Sequence, residues 1–119
     1  MEETIIKATD LENLVTSIFK AHQIPEEHAV IIAQGLVSAD LRGVFSHGVV
    51  RVPMYCERLR HELVNRQPEM QVTRTSPASR LIDGDNGMGF VVGKVAMDEA
   101  IVLAEEMGIS LIGVHNSGH

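Results

Sequence analysis

The sequence predicts an α+β fold. A helical segment occupies residues 1–70, and the beginning of an α/β domain built on a sheet follows over 71–119. Three observations carry this. Apolar residues recur at helical spacing through the first half of the chain. That period breaks up from Leu63 to Ala78, where Pro68 and Pro77 punctuate the chain. Past Arg80 the pattern reads strand, helix, strand.

Taken in order, Thr9-Asp10-Leu11-Glu12 has the form of a capping box, in which Thr9 and Glu12 satisfy each other's free amides. Leu11, Leu14, Val15, Ile18 and Phe19 then follow the helical period, so a first helix is expected to about His22. Pro25 stands where a second helix starts, with Glu26 and Glu27 favourable at its positive end. Val30, Ile31, Ala33, Leu36 and Val37 are its apolar residues, and Gly43 its expected stop. A third helix is expected from Ser46 to about His61. Pro53 lies inside it, so either a short turn precedes the helix proper or the helix kinks. Arg80-Leu81-Ile82-Asp83 reads as a short strand and Gly84-Asp85-Asn86-Gly87 as a turn cluster. Residues 90–107 form a strong helix with Gly108 as C-cap, and 109–114 an apolar strand of the buried kind. The chain stops just past that strand, and two strands make a small sheet, so the sequence is expected to be the front part of a longer one.

Composition narrows the function classes. Hydrophobic residues make up 45% and charged residues 22%, which is ordinary for a globular protein. The net charge of -6 argues against nucleic acid or an anionic membrane as partner. No apolar run reaches bilayer-spanning length, and the N-terminus lacks the apolar core of a signal peptide. A single cysteine, Cys56, cannot form an internal disulfide; a cytoplasmic protein is expected.

The glycine-rich run Gly87-Met88-Gly89-Phe90-Val91-Val92-Gly93-Lys94 lies between a strand and a helix, where a dinucleotide fingerprint would lie. Its spacing fails, because Val92 stands where the third glycine belongs. No acidic residue closes the next strand; His115 is there instead. A P-loop fails too, since Met88 and Val95 stand at required positions. These glycines then serve tight turning and close helix–sheet packing. No metal site is expected. His115 and His119 have helical ligand spacing, but Asn116-Ser117-Gly118 between them is turn chemistry, and no further ligands are spaced to complete a site. His22, His28 and His61 read as solvated or C-capping histidines, and Cys56 as a small core residue.

The stretch from Asp40 to Tyr55 is the densest in chemistry. Ser46, His47, Arg51 and Tyr55 place a hydroxyl, an imidazole, a guanidinium and the chain's one phenol within ten residues. On a helix starting at Ser46, the last three would recur along one stripe. Two readings stay open. In one, Ser46 is an N-cap, His47 a first-turn residue, Arg51 a surface cation and Tyr55 core. In the other, Ser46 fixes the tautomer of His47, His47 protonates a developing alkoxide, and Arg51 holds a carboxylate through two bonds. A hydrolase triad is disfavoured, because no strand–turn–helix elbow surrounds Ser46.

The run Ala39-Asp40-Leu41-Arg42-Gly43-Val44-Phe45-Ser46-His47-Gly48-Val49-Val50-Arg51 resembles the signature of the malate/L-lactate dehydrogenase family of the second, non-Rossmann type, which includes ureidoglycolate and sulfolactate dehydrogenases and diketogulonate reductase. The likeness spans essentially the whole chain, including Asp83-Gly84-Asp85-Asn86-Gly87-Met88-Gly89 and Val114-His115-Asn116-Ser117-Gly118-His119. The resemblance implies a mixed sheet rather than a Rossmann fold, with 1–70 carrying the Ser-His-Gly motif and 71–119 opening the cofactor-binding domain. It implies hydride transfer between NAD or NADP and a 2-oxo or 2-hydroxy acid, in a homodimer. It makes His47 the general acid/base, Ser46 its relay partner and Arg51 the carboxylate clamp. Tyr55 would lie near the substrate, and His119 would open a loop that contacts cofactor or substrate and counts among the catalytic residues. Two rival readings are a small regulatory or binding module and a structural fragment without activity of its own.

Overall fold

The computed structural model describes residues 3–118, which divide into two compact units, 3–63 and 64–118. In the first unit, helix α1 (Ala8–Ala21) packs against α2 (Glu26–Leu41). The capping box does not form. The helix starts at Ala8, ahead of Thr9, with Lys7 as N-cap and no side-chain cap bond. Thr9 is already helical, so its hydroxyl is not placed to cap. Val15 and Phe19 are the buried residues of α1. The chain reverses where Gln23 takes a left-handed conformation, φ 64°, and Ile24 donates back to the Phe19 carbonyl at 3.1 Å.

Pro25 caps α2 rather than entering it, and its carbonyl accepts the Ala29 amide at 2.9 Å. The buried stripe is Ala29, Ile32, Ala33, Leu36 and Val37. Val30 and Ile31 are only half-buried. The face lies a notch away from the one expected, because small Ala29 faces inward at the position preceding Val30.

After α2 come two 3-10 turns, Phe45–His47 and Val49–Arg51, and then α3 (Val52–Arg60), with Pro53 in its first turn. There is no helix starting at Ser46. Of the two expected arrangements, the short turn before the helix is the one found. Pro53 loses nothing there, because first-turn amides have no intrahelical acceptor. Val52, Tyr55, Cys56 and Leu59 are buried. Burial raises the Cys56 thiol above its ordinary pKa, partly offset by the Arg60 charge.

The second unit holds a mixed three-stranded sheet of order β1-β2-β3: β1 (Gln71–Ser76), β2 (Ser79–Met88) and β3 (Leu111–Gly118). Strands β1 and β2 form an antiparallel hairpin, from Gln71 opposite Asp83 to Ser76 opposite Ser79. Helix α4 (Gly89–Met107) then carries the chain to β3, which lies parallel to β2. Ile82, Val91, Val92 and Leu103 are buried here. No helix among the described residues is long and apolar enough to cross a membrane.

Three expectations fail in this unit. Strand β1 was not expected at all; every residue of Gln-Val-Thr-Arg-Thr-Ser is exposed, so no buried face writes a period-two pattern. Strand β2 does not end at Asp83. The Gly84-Asp85-Asn86-Gly87 cluster bulges within it, with φ of 50° at Asp85 and 55° at Asn86, and pairing with β3 resumes at Gly87 opposite Ser117. Strand β3 accordingly runs on through His115-Asn116-Ser117-Gly118, read from sequence as a loop. It is mostly exposed rather than buried, with Leu111 at 72%.

The bulge is fastened by carboxylates. Asp83 Oδ1 accepts the Asp85 amide at 2.9 Å and Asn116 Nδ2 at 3.1 Å. The first of these bonds, then the second, holds the Asp83 carboxyl below the ordinary aspartate range. Asp85 Oδ2 accepts the Glu69 amide and Asn65 Nδ2, both at 2.9 Å.

Candidate functional site

The site grows from the end of α2. Arg42 and Gly43 close the helix by donating to Ser38 and Asp40 carbonyls, and Gly43 takes a φ of 76°. Val44 donates to the Ala39 carbonyl at 2.9 Å, turning the chain back into the first 3-10 turn. His47 donates to Val44 and Gly48 to Phe45, closing that turn; Arg51 donates to Gly48, closing the next. Gly48, extended and buried, separates the two.

These turns bring three of the expected residues together. Ser46 Oγ and His47 Nδ1 share a hydrogen bond of 2.9 Å. Arg51 Nε donates to the Ser46 carbonyl oxygen at 2.7 Å. Ser46 and His47 are exposed and Arg51 half-buried. The guanidinium is therefore tied to the same residue that hydrogen-bonds the imidazole. The Nη nitrogens of Arg51 and Nε2 of His47 make no hydrogen bond to another described residue. Tyr55 is 5% exposed on α3, so its ring is a core side chain of that helix. The expected stripe of His47, Arg51 and Tyr55 does not exist, because Gly48 interrupts the helical path. His119 lies outside the described residues.

Chemically, the arrangement offers His47 Nε2 as a proton donor or acceptor and a planar cation tied to the neighbouring Ser46. The serine hydroxyl can donate to Nδ1 or accept from it, so both neutral tautomers of His47 keep this bond. One tautomer presents an N–H at Nε2, the other a lone pair. A nearby hollow of about 380 Å³, bounded by Ile5, Leu11, Val37, Leu41, Phe45 and Val49, is apolar in character. No group of three His, Cys, Asp or Glu side chains among the described residues could hold a metal ion.

The glycine-rich run is not a pyrophosphate cradle. A Cβ on Gly87 would lie 2.6 Å from Pro68, and one on Gly89 2.8 Å from the Gly118 carbonyl oxygen. The missing side chains make room for this chain's own backbone and proline, not for a pyrophosphate. The described residues thus form no Gly-rich cradle of the Rossmann kind.

One residue of the site was not singled out from sequence. Asp40 Oδ2 accepts the Val49 amide at 3.0 Å, nine residues on. The helix stop at Gly43 gave the signal that the chain folds back there. Nothing in the spacing says which amide the carboxylate meets.

Comparison with known proteins agrees with this architecture. The malate/L-lactate dehydrogenase profile matches residues 6–119. L-sulfolactate dehydrogenase from Methanocaldococcus jannaschii is 39% identical over 97% of this chain and 33% of its own length. The NAD(+) ureidoglycolate dehydrogenase of Escherichia coli is 37% identical over 96% of this chain and 33% of its own. Among solved structures, the M. jannaschii sulfolactate dehydrogenase superposes with a TM-score of 0.93 over 98% of this chain and 34% of that one. Malate dehydrogenase from Pyrococcus horikoshii OT3 gives 0.91 at 37% identity, covering 99% of this chain and 36% of that one. The chain thus spans about a third of the length of the relatives it matches. A match across almost the whole sequence, together with superposition on solved relatives at TM-scores above 0.9, places this chain in the malate/L-lactate dehydrogenase family.

Proposed function

We propose that this chain is the N-terminal part of an NAD- or NADP-dependent oxidoreductase that interconverts a 2-oxo acid and its 2-hydroxy acid. The observation that carries the reading is the Ser46–His47–Arg51 array. An imidazole is held by a serine hydroxyl, and a guanidinium is anchored on the same serine's carbonyl. That is what a reaction at carbon 2 of an α-substituted acid requires: one group for the oxygen's proton and one for the carboxylate.

In the reducing direction, His47 protonated on both ring nitrogens donates its Nε2 proton to the substrate's carbonyl oxygen as that oxygen gains negative charge, and is left as neutral imidazole with its proton on Nδ1. In the oxidising direction, that neutral Nδ1–H tautomer accepts the hydroxyl proton at Nε2. In both directions the Ser46 hydroxyl oxygen accepts from Nδ1–H, which keeps Nε2 turned to the substrate. Arg51 offers its Nη nitrogens to the substrate carboxylate, which fixes carbon 2 relative to the imidazole. A nicotinamide cofactor, when bound, supplies or removes the hydride. No described residue is assigned to it. The names of the relatives support an acid substrate of this kind; the choice among malate, lactate, sulfolactate and ureidoglycolate is not made by these three side chains. His119 is assigned to the cofactor or substrate contact by family likeness alone. The same likeness supports a cytoplasmic homodimer.

The test is kinetic, on the enzyme that carries this chain. His47→Ala is expected to lower kcat by about a hundredfold or more, the usual scale for a lost general acid/base. Arg51→Lys is expected chiefly to raise KM for the acid, because an ammonium cannot reproduce the planar two-bond contact. Near-normal turnover in His47→Ala would rule out the proton-transfer role. Equal losses for acid and non-acid substrates in Arg51→Lys would rule out the clamp.

A further inference from the structure

Asp40 has no part in the chemistry above, yet it bounds the segment that performs it. Its backbone carbonyl accepts the Gly43 amide at 3.0 Å, ending α2. Its carboxylate reaches across the loop and accepts the Val49 amide, also at 3.0 Å, at the start of the second 3-10 turn. Ser46 and His47 lie between these two attachments. The carboxylate also rests against Gly48: a Cβ built there would lie 1.9 Å from Asp40 Oδ1 and 2.3 Å from Cγ. The Gly48 backbone is extended, with φ of −93°, so the glycine is not needed for its dihedrals. It is needed because Asp40 occupies the space of a side chain.

The rest of the loop has little to hold it. Leu41, Val44 and Phe45 are exposed, as are Ser46 and His47. With so few apolar contacts, the loop's position depends on its hydrogen bonds. The bonds inside the turns fix their local shape. The Val44 amide ties the loop's entry to α2, and Asp40 ties its exit. Arg51 ends the turn that begins at Val49, so the carboxylate sets where the guanidinium starts as well as where the imidazole ends.

We propose that Asp40 is a positioning residue. Its carboxylate, seated on Gly48 and bonded to the Val49 amide, holds the Ser46–His47–Arg51 array in its reactive geometry. This rests on the catalytic reading of that array, but its structural part is testable without turnover. A displacement of about 1 Å in such an array costs on the order of a hundredfold in rate.

The experiment combines amide hydrogen exchange with kinetics in the enzyme carrying this chain. In Asp40→Ala, Val49 is expected to lose its exchange protection while Phe19 and Leu36 in the helical core keep theirs, and kcat to fall at least about tenfold. Asp40→Asn still offers a side-chain oxygen and is expected to keep Val49 protected, with kcat within about threefold of the parent. Gly48→Ala forces the carboxylate aside and is expected to expose Val49 as Asp40→Ala does. Its penalty should shrink in the Asp40→Ala background, where the collision is gone. A protected Val49 in Asp40→Ala would overturn the proposal. So would equal penalties for Gly48→Ala in both backgrounds, which keeps the test decisive if Asp40→Ala also loosens the core. Should His47→Ala prove harmless, the catalytic reading falls on that result, while Val49 exchange still decides whether Asp40 holds the loop.

Discussion

The Ser46–His47 hydrogen bond and the Arg51 bond to the Ser46 carbonyl show how three residues close in sequence become one chemical unit. Much of this was legible beforehand, because the residues that meet are at most five apart. For Tyr55 the sequence left two readings open, core residue and substrate contact, and packing on α3 buries its ring. Cys56, its neighbour, was read correctly as core. Its raised pKa gives a direct check. Burial disfavours the thiolate, which is the form that reacts. Iodoacetamide at pH 8 is expected to alkylate Cys56 about a hundredfold more slowly in the native protein than in denaturant. Equal rates would mean that α3 opens freely.

At the scale of elements, legibility followed the strength of the apolar pattern. Helices α1, α2 and α4 fall close to their expected limits, because each buries a stripe that repeats every three or four residues. The strands were harder. Strand β1 buries no face, and the second halves of β2 and β3 are written in Gly, Asp, Asn and Ser, which elsewhere make turns. Here they make a bulge, in which Asp83 accepts the Asp85 amide while Asp85 accepts the Glu69 amide from the segment ahead of β1. The end of α4 was read as found. Gly108 has a φ of 84° and donates to the Ala104 carbonyl at 2.8 Å. A Cβ there would meet nothing within 4 Å, so Gly108→Ala tests backbone conformation alone. It is expected to destabilise the protein by about 1–2 kcal/mol, the usual cost of a left-handed alanine. Urea unfolding measures it, and an unchanged midpoint would show that the helix end relaxes at no cost.

For the molecule as a whole, acid stability should depend on the second unit's bulge. The Asp83 carboxyl is held low by the Asp85 amide and the Asn116 side chain. A carboxyl whose folded pKa lies below its unfolded value stabilises the fold fully above the unfolded value. That contribution is lost as pH falls through the folded one. The parent's advantage over Asp83→Ala in urea midpoint should therefore be largest near neutrality and shrink below the ordinary aspartate range. An advantage unchanged between pH 7 and about pH 2 would exclude this linkage. The sequence changes pattern near residue 70, within a stretch of lost period of which β1 is part, and the two compact units divide between Leu63 and Val64.

Asp40 carries one more consequence. It stands in the last turn of α2, where the helix's exposed carbonyls make the end partially negative, and no basic residue of that turn offsets it. A carboxylate at such a position typically costs a helix about 0.3–1 kcal/mol. The same side chain that fastens the loop is therefore ill placed for the helix it belongs to. Selection for heat resistance alone would favour lysine or arginine at this position, and either would release Val49. Stabilising α2 and keeping the array assembled are thus competing demands on a single residue, a local trade-off between durability and activity.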